Sequence, residues 1–394
     1  MEFIFSRSLG TKFMKKSIGF LSHLDLNLYL FRLDLMKALK NRNWQVYAIV
    51  PKGRYNKHFE NEGITVINYS LDRKSINPLK ELRTIWNIRK ILKDIKLDIL
   101  HTFTIKPNIY GNICSIGLDI PIIINTITGL GSFFIELNQN VKNLVIRKTI
   151  ETLYKFSLKR ASKVIFQNKD DMELFIKKGL VIPTKAILIK GSGIDTNKWK
   201  SSNCNNKNKV IKIITIGRLI IHKGINEFIE VAKILKKIYK EKIEFILVGD
   251  FYDGNPYNIN KKVVFSAEKE GIITWYRWLK HEELKNLLKC CNIFVLLSYR
   301  EGIPRSGIEA LALGLPIITT KVPGCKELVE DGVNGFLVPA KDVPKVIEKL
   351  KILIDDEKLR KKMGIKSRKK AEDEFDIKIV IEKYLNVYES LIGV

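Results

Sequence analysis

From Lys16 onward, short apolar, β-branched runs alternate with longer stretches in which apolar residues recur every three or four positions. The runs Ser17–Ser22, Gln45–Val50 and Ile64–Tyr69 come first, with amphipathic stretches at Asp25–Lys40 and Pro78–Lys96. Such runs read as strands buried on both faces and the longer stretches as helices, so the pattern predicts βα units in a parallel sheet. It continues through Asp98–Phe103, Ile122–Ile127, Val164–Gln167 and Ala186–Ile189, with a basic helical stretch at Val141–Lys163. Roughly seven strands therefore fill the first half.

A second series follows: Lys212–Ile216, Glu244–Val248, Ile273–Tyr276, Ile293–Leu297 and Pro316–Thr320, with helical stretches such as Asn226–Tyr239 and Glu282–Leu288 between them. Ser201–Lys209, polar and rich in Asn, lacks either period and reads as a linker. The predicted fold class is α/β with two doubly wound domains, 14–200 and 201–376. The amphipathic segment Ile377–Ile392 follows a charged stretch, Lys361–Asp376, that has no evident place in the second sheet. The tail 377–394 is expected to cross back onto the first domain. Open α/β sheets bind ligands at the carboxyl ends of their strands, so two of them favour a site in the crevice between domains.

Length and composition agree: 394 residues with 45% hydrophobic content exceed one core and are too apolar for disorder. The net charge of +27 divides into +18 for residues 1–200 and +9 for 201–394. The excess attracts polyanions, whether nucleic acid, anionic lipid or phosphorylated substrates. Cys114, Cys204, Cys290, Cys291 and Cys325 show no metal-ligand spacing, and a reduced cytoplasmic protein is expected. No apolar run reaches membrane-spanning length and residues 1–22 lack a signal-peptide pattern, so membrane contact is expected to be peripheral. Residues 1–13, ahead of a second methionine at Met14, are assigned no function.

The strongest chemical constellation is Glu301-Gly302-Ile303-Pro304-Arg305-Ser306-Gly307-Ile308-Glu309, placed after an apolar run and opening a helix. Unpaired N–H groups at a helix start favour anions, so Gly302, Ile303, Pro304 and Arg305 suit a sugar diphosphate. Glu301 and Glu309 can accept from hydroxyl pairs, Glu301 from a hexose and Glu309 from a ribose. Read alone, Glu301 is equally a helix cap and Glu309 an early-helix carboxylate. Gly217-Arg218-Leu219 and His222-Lys223-Gly224 follow the strand Lys212–Ile216, and Arg218 with Lys223 can neutralise a departing diphosphate. In so basic a chain such a pair also arises by chance. The glycines of Pro323–Glu327 and Asp331–Phe336 read as turn residues.

Together these segments resemble glycosyltransferase family 4. They are GRL-x3-KG, the glutamates of E-x7-E within EGIPRSGIEA, and PGCKELVEDGVNGFLVP, in that order. The resemblance covers about residues 14–394. His101-Thr102-Phe103-Thr104, Lys106–Gly111 and the loop Thr128–Phe133 extend it to a subgroup of that family, and within it the opening Ile18–His23 and the run Gly129–Phe133 are similar to N-acetylgalactosaminyltransferases acting on polyprenyl-diphosphate-linked saccharides. The resemblance implies a GT-B fold, a UDP-sugar donor on the second domain, an acceptor on the first, and retention of configuration without a metal or other cofactor. It implies catalytic roles for Arg218, Lys223 and Glu301, and donor contacts for Gly217, Gly302, Ile303, Pro304, Arg305 and Glu309. It assigns no enzyme nucleophile, because the leaving phosphate helps to deprotonate the acceptor hydroxyl. No D-x-D occurs in the chain.

The chain departs from the family pattern at Ser22-His23-Leu24-Asp25, where many members have glycines, at Ile127, where many have a histidine, and at Arg277, where a Leu-Gly pair is common. His23, His101 and Gly129 are the acceptor-side candidates, although a lone histidine is more often structural. Leu82–Lys96 and Val141–Lys163 carry apolar residues on one side and Lys or Arg on the other. That suits the anionic inner face of the plasma membrane, and equally a helix buried on one side with a solvated basic face. Rival readings are a sugar-nucleotide-binding protein without turnover, a sugar-nucleotide epimerase of the same fold, and a nucleic-acid binder. No nucleic-acid module is present, and nucleic acid is not expected as a partner.

Overall fold

The computed structural model describes residues 15–72, 77–130, 141–201, 210–252 and 254–393. The proposed linker at 202–209, Gly131–Phe133 of the glycine loop and residues 1–13 lie outside them.

The first sheet is built from β1 (Ser17–Ser22), β2 (Gln45–Val50), β3 (Thr65–Asn68), β4 (Ile99–Phe103), β5 (Ile122–Ile127), β6 (Lys163–Phe166) and β7 (Ala186–Leu188). These seven strands are all parallel, in the order β3-β2-β1-β4-β5-β6-β7. The helices between them are α1 (Asp25–Asn41), α2 (Asn56–Asn61), α3 (Pro78–Asp94), α4 (Ile105–Cys114), α5 (Val141–Ser157) and α6 (Lys169–Lys177). The second sheet contains β8 (Ile211–Ile216), β9 (Ile243–Val248), β10 (Thr274–Tyr276), β11 (Ile293–Leu296), β12 (Ile317–Thr320) and β13 (Gly335–Val338), ordered β10-β9-β8-β11-β12-β13 and likewise parallel. Its helices are α7 (Ile225–Tyr239), α8 (Lys261–Lys269), α9 (His281–Lys289), α10 (Arg305–Ala312), α11 (Val343–Asp355) and α12 (Glu357–Glu374), and the chain ends in α13 (Ile377–Ile392). Both sheets reverse strand order beside their first strand, and the crevice at that switch point is where such folds place ligands.

Each sheet is covered on both faces by buried aliphatic and aromatic side chains. Helix α13 joins the first of these cores: Val380, Tyr384, Leu385, Val387 and Tyr388 pack with Ile18, Leu28 and Phe103. The chain crosses between the sheets where Ile377 N donates to Ile194 O at 2.8 Å and Arg368 donates to the carbonyls of Thr196 and Trp199.

Three local expectations change. The helix drawn across Val141–Lys163 stops at Ser157, and a 3-10 turn at Leu158–Arg160 feeds β6. The charged stretch Lys361–Asp376 is mostly α12, whose buried stripe is only Met363, Gly364, Ser367 and Ala371. Gly364 and Gly314 pack so closely that a Cβ on Gly364 would lie 2.3 Å from Gly314 O. The second sheet also gains a sixth strand, β13. No helix among the described residues is long and apolar enough to cross a membrane.

Candidate active site

Two loops at the carboxyl ends of β8 and β11 carry most of the expected chemistry. After β8 the chain runs through Gly217 and Arg218 into a 3-10 turn, Ile221–Lys223, and then Gly224 opens α7. Gly224 has φ +68°, and a Cβ there would fall 2.2 Å from Leu297 O, so only glycine lets α7 start against the end of β11. This packing turns Lys223 back toward the β11 loop. Its ammonium donates to the Glu301 carboxylate, and both side chains are largely buried.

The β11 loop is clamped from behind by Pro323 and Gly324. Glu301 N donates to Pro323 O at 3.1 Å, and a Cβ on Gly324 would lie 2.2 Å from Gly302 O. Pro304 occupies the N-cap of α10; Gly307 N donates back to Pro304 O at 3.1 Å, and the Arg305 and Ser306 N–H groups ahead of it have no partner within the helix. Arg305 reaches the Glu309 carboxylate at 3.2 Å and the Gly193 carbonyl. Glu309 is buried and also lies 3.3 Å from His281 Nε2. Beneath the loop, the buried free thiol of Cys325 is pushed up to about 12 by burial, reinforced by the Glu301 charge, and is inert at neutral pH.

A cavity of about 370 Å³ separates the two sheets. Gly217, Arg218, Lys223, Glu301, Gly302, Ile303, Pro304 and Arg305 line its second-domain wall. Arg218 is exposed, and its guanidinium has no ion pair among the described residues. From the first domain come Arg32, Phe103, Thr104, Thr128 and Gln167. Thr104, at φ +75°, holds a strained backbone at the start of α4.

The two walls touch beside the cavity. Asn168, the N-cap of α6, donates through Nδ2 to Gly302 O at 2.9 Å. A Cβ on Gly302 would fall 2.0 Å from Thr128 O, and one on Gly129 would lie 3.1 Å from Gly302 N. Arg300 pairs with the buried Asp171, Lys326 with Asp170 at 2.8 Å, and Lys190 with Glu327 at 3.4 Å. Burial raises the Asp171 carboxyl above the ordinary aspartate range, and Arg300 offsets only part of that rise. For Lys190, burial alone would lower the ammonium, but Glu374 and Glu327 outweigh it and the value rises.

Eight of the twelve residues expected to form the site thus line one cavity. Glu309 stands behind that wall, held by Arg305. Gly129 makes the interdomain approach just described. His23 does not line the cavity; its Nδ1 lies 2.7 Å from the hydroxyl of Thr104, which does. His101 is a correction. It is fully buried, with Nδ1 2.7 Å from the Tyr388 hydroxyl and Nε2 2.7 Å from the Thr126 hydroxyl, so it ties α13 to β4 and β5 and does not line the cavity. Burial, helped by the Arg32 charge, lowers its imidazole well below the usual histidine range.

Sequence reasoning missed Arg32, Asn168, Asp171 and Arg300. Arg32 had a legible signal, being one charge on the stripe Leu28, Leu35, Met36 and Leu39 that α1 buries. Asn168 and Asp171 cap one another at the start of α6, and nothing in the sequence says that the same asparagine reaches the other domain.

Two facing parallel sheets, with a cation-lined cleft at their switch points, place the chain in the GT-B fold class. Solved structures agree on the fold: a glycosyltransferase from Rickettsia africae superposes with a TM-score of 0.77 at 19% identity, covering 96% of this chain and 99% of its own. Anabaena Alr3699/HepE in complex with UDP gives 0.76 at 20% identity, covering 95% and 100%. The family description "Glycosyl transferase 4-like" matches residues 17–168 and "Glycosyl transferases group 1" matches residues 196–370. The N,N'-diacetylbacillosaminyl-diphospho-undecaprenol alpha-1,3-N-acetylgalactosaminyltransferase of Campylobacter jejuni subsp. jejuni is 34% identical over 391 residues, 95% of this chain and 99% of its own. The UDP-Gal:alpha-D-GlcNAc-diphosphoundecaprenol alpha-1,3-galactosyltransferase of Escherichia coli is 27% identical, covering 81% and 82%. The chain belongs to glycosyltransferase family 4.

Proposed function

We propose that this chain moves a hexose or N-acetylhexosamine from a UDP-sugar to a saccharide on a polyprenyl diphosphate, with retention of configuration and without a metal. The observation that carries the reading is the convergence of Arg218, Lys223, Glu301 and the N-terminus of α10 on one interdomain cavity. The helix terminus and the two cations suit the donor diphosphate and stabilise the charge that grows as the sugar–phosphate bond breaks. Glu309 takes the ribose hydroxyls and Glu301 those of the transferred sugar, as the family resemblance implies. The acceptor oxygen forms its bond to the anomeric carbon on the face that the phosphate leaves. Its proton passes to the departing phosphate oxygen, giving UDP. The names of the Campylobacter and Escherichia relatives support the acceptor class.

The acceptor side has a surface suited to a membrane. On α3, Leu79 and Trp86 are 78% and 66% exposed, and Leu82 lies between them on the same stripe. On α5, Val141, Val145 and Phe156 are exposed as well. Both helices pack on α4, and their Lys80, Arg83, Lys148 and Lys155 are exposed as well. Exposed apolar residues beside cations favour insertion into the anionic cytoplasmic leaflet over a helix with only a solvated basic face. A radiolabel screen of UDP-sugars, beginning with UDP-N-acetylgalactosamine, against undecaprenyl-diphosphate-linked monosaccharides tests the reading. Label entering the lipid phase supports it; UDP binding with no transfer from any donor counts against it.

A further inference from the structure

Arg32 is 3% exposed, yet no carboxylate lies within ion-pair reach of it among the described residues. Among the described residues its one side-chain hydrogen bond goes to the carbonyl of its neighbour Phe31, at 3.2 Å. The guanidinium is held over the rings of Phe103 at 4.9 Å and Tyr384 at 5.2 Å, which fix its position and leave its charge uncancelled. The nearby titratable groups do not cancel it either. His101 is kept neutral by burial and by Arg32 itself, and the Tyr388 hydroxyl is raised far above its ordinary range, chiefly by burial. A buried, unpaired cation is costly unless an anion reaches it, and Arg32 lines the cavity on the wall opposite Arg218 and Lys223.

We propose that Arg32 binds the diphosphate of the acceptor. The assignment rests on the transfer reaction proposed above, and it gives each domain its own diphosphate grip: Arg218 and Lys223 for the donor, Arg32 for the lipid-linked saccharide. A guanidinium fork whose plane is set by two aromatic rings suits bidentate contact with phosphoryl oxygens.

The test compares wild type, Arg32→Gln and Arg32→Lys on two acceptors, a polyprenyl-diphosphate saccharide and the same saccharide on an uncharged alkyl chain. For Arg32→Gln the KM of the diphosphate acceptor should rise roughly 10- to 100-fold, the loss expected for a hydrogen bond to a charged group. The KM of the alkyl glycoside, the affinity for UDP and the melting temperature should hold, and Arg32→Lys should recover part of the loss. Equal losses on both acceptors with a lowered melting temperature would mean that Arg32 only staples α13 through Tyr384. Weakened UDP binding with both acceptors unaffected would assign it to the donor diphosphate. If wild type transfers to neither acceptor, the transfer reading fails, and calorimetric titration of UDP-saturated protein with inorganic pyrophosphate still decides: binding lost in Arg32→Gln supports the anion site, and binding retained overturns it.

Discussion

Asn168 and Gly302, 134 residues apart and on opposite domains, are joined by a 2.9 Å hydrogen bond from the asparagine amide to the glycine carbonyl. The bond holds the loop that bears Glu301 against the first sheet, where Gly302 meets the backbone of Thr128 with no room for a side chain. One cap residue and one glycine thus join the walls directly beside the Glu301 loop, alongside the ion pairs Arg300–Asp171 and Lys326–Asp170.

Gly302→Ala should separate the walls, because its Cβ would meet a backbone carbonyl at 2.0 Å. Turnover should fall roughly 100-fold, as misplacement of reacting groups by about 1 Å does. UDP affinity should fall as well, because Gly302 also lines the proposed donor wall of the cavity. Asn168→Ala should lose about 1–3 kcal/mol, the cost of leaving buried partners unmet. Steady-state kcat beside calorimetric UDP binding checks both.

Arg218→Ala and Lys223→Ala should each remove about 2–4 kcal/mol of transition-state stabilisation, seen as lower kcat with donor saturating. Glu309→Ala should instead weaken donor binding. Unchanged turnover in both cationic variants would refute their assignment.

The buried pair Asp171–Arg300 sits at the same interface, and the Arg300 Nε lacks a partner among the described residues even in the intact pair. Asp171→Ala should cost about 3–5 kcal/mol because it leaves that guanidinium buried and unpaired. The double variant Asp171→Leu/Arg300→Met should be milder than the sum of the two single changes. A denaturation double-mutant cycle measures the difference.

His101 and His222 lie below the ordinary histidine value of 6.5, His101 through burial and the Arg32 charge, His222 through burial. Because the folded values are depressed, the unfolded chain binds protons first. The stability these groups provide is complete above 6.5 and is lost as pH falls toward their folded values. Denaturant midpoints should drop from about pH 7 to about pH 5, and less steeply in His101→Gln. A midpoint that rises on acidification would contradict this.

The two sheets were legible because strands buried on both faces read as unbroken apolar runs, as Ile122–Ile127 does. Helix α12 was not, because its buried stripe of Met363, Gly364, Ser367 and Ala371 is masked by charges. The donor loops were legible because glycine, cation and carboxylate fall at fixed spacings on one chain segment. Contacts between segments far apart in the chain, such as Asn168 with Gly302 or His101 with Tyr388, leave no local pattern, and His101, central in β4, read as an acceptor-side residue although α13 covers it.

The most direct test is the product itself: transfer from a UDP-sugar carried out in chelator, with the anomeric configuration of the new linkage read by NMR. The account predicts a product with the donor's configuration, at a rate the chelator leaves unchanged. An inverted product, or transfer that stops when divalent ions are removed, would contradict it.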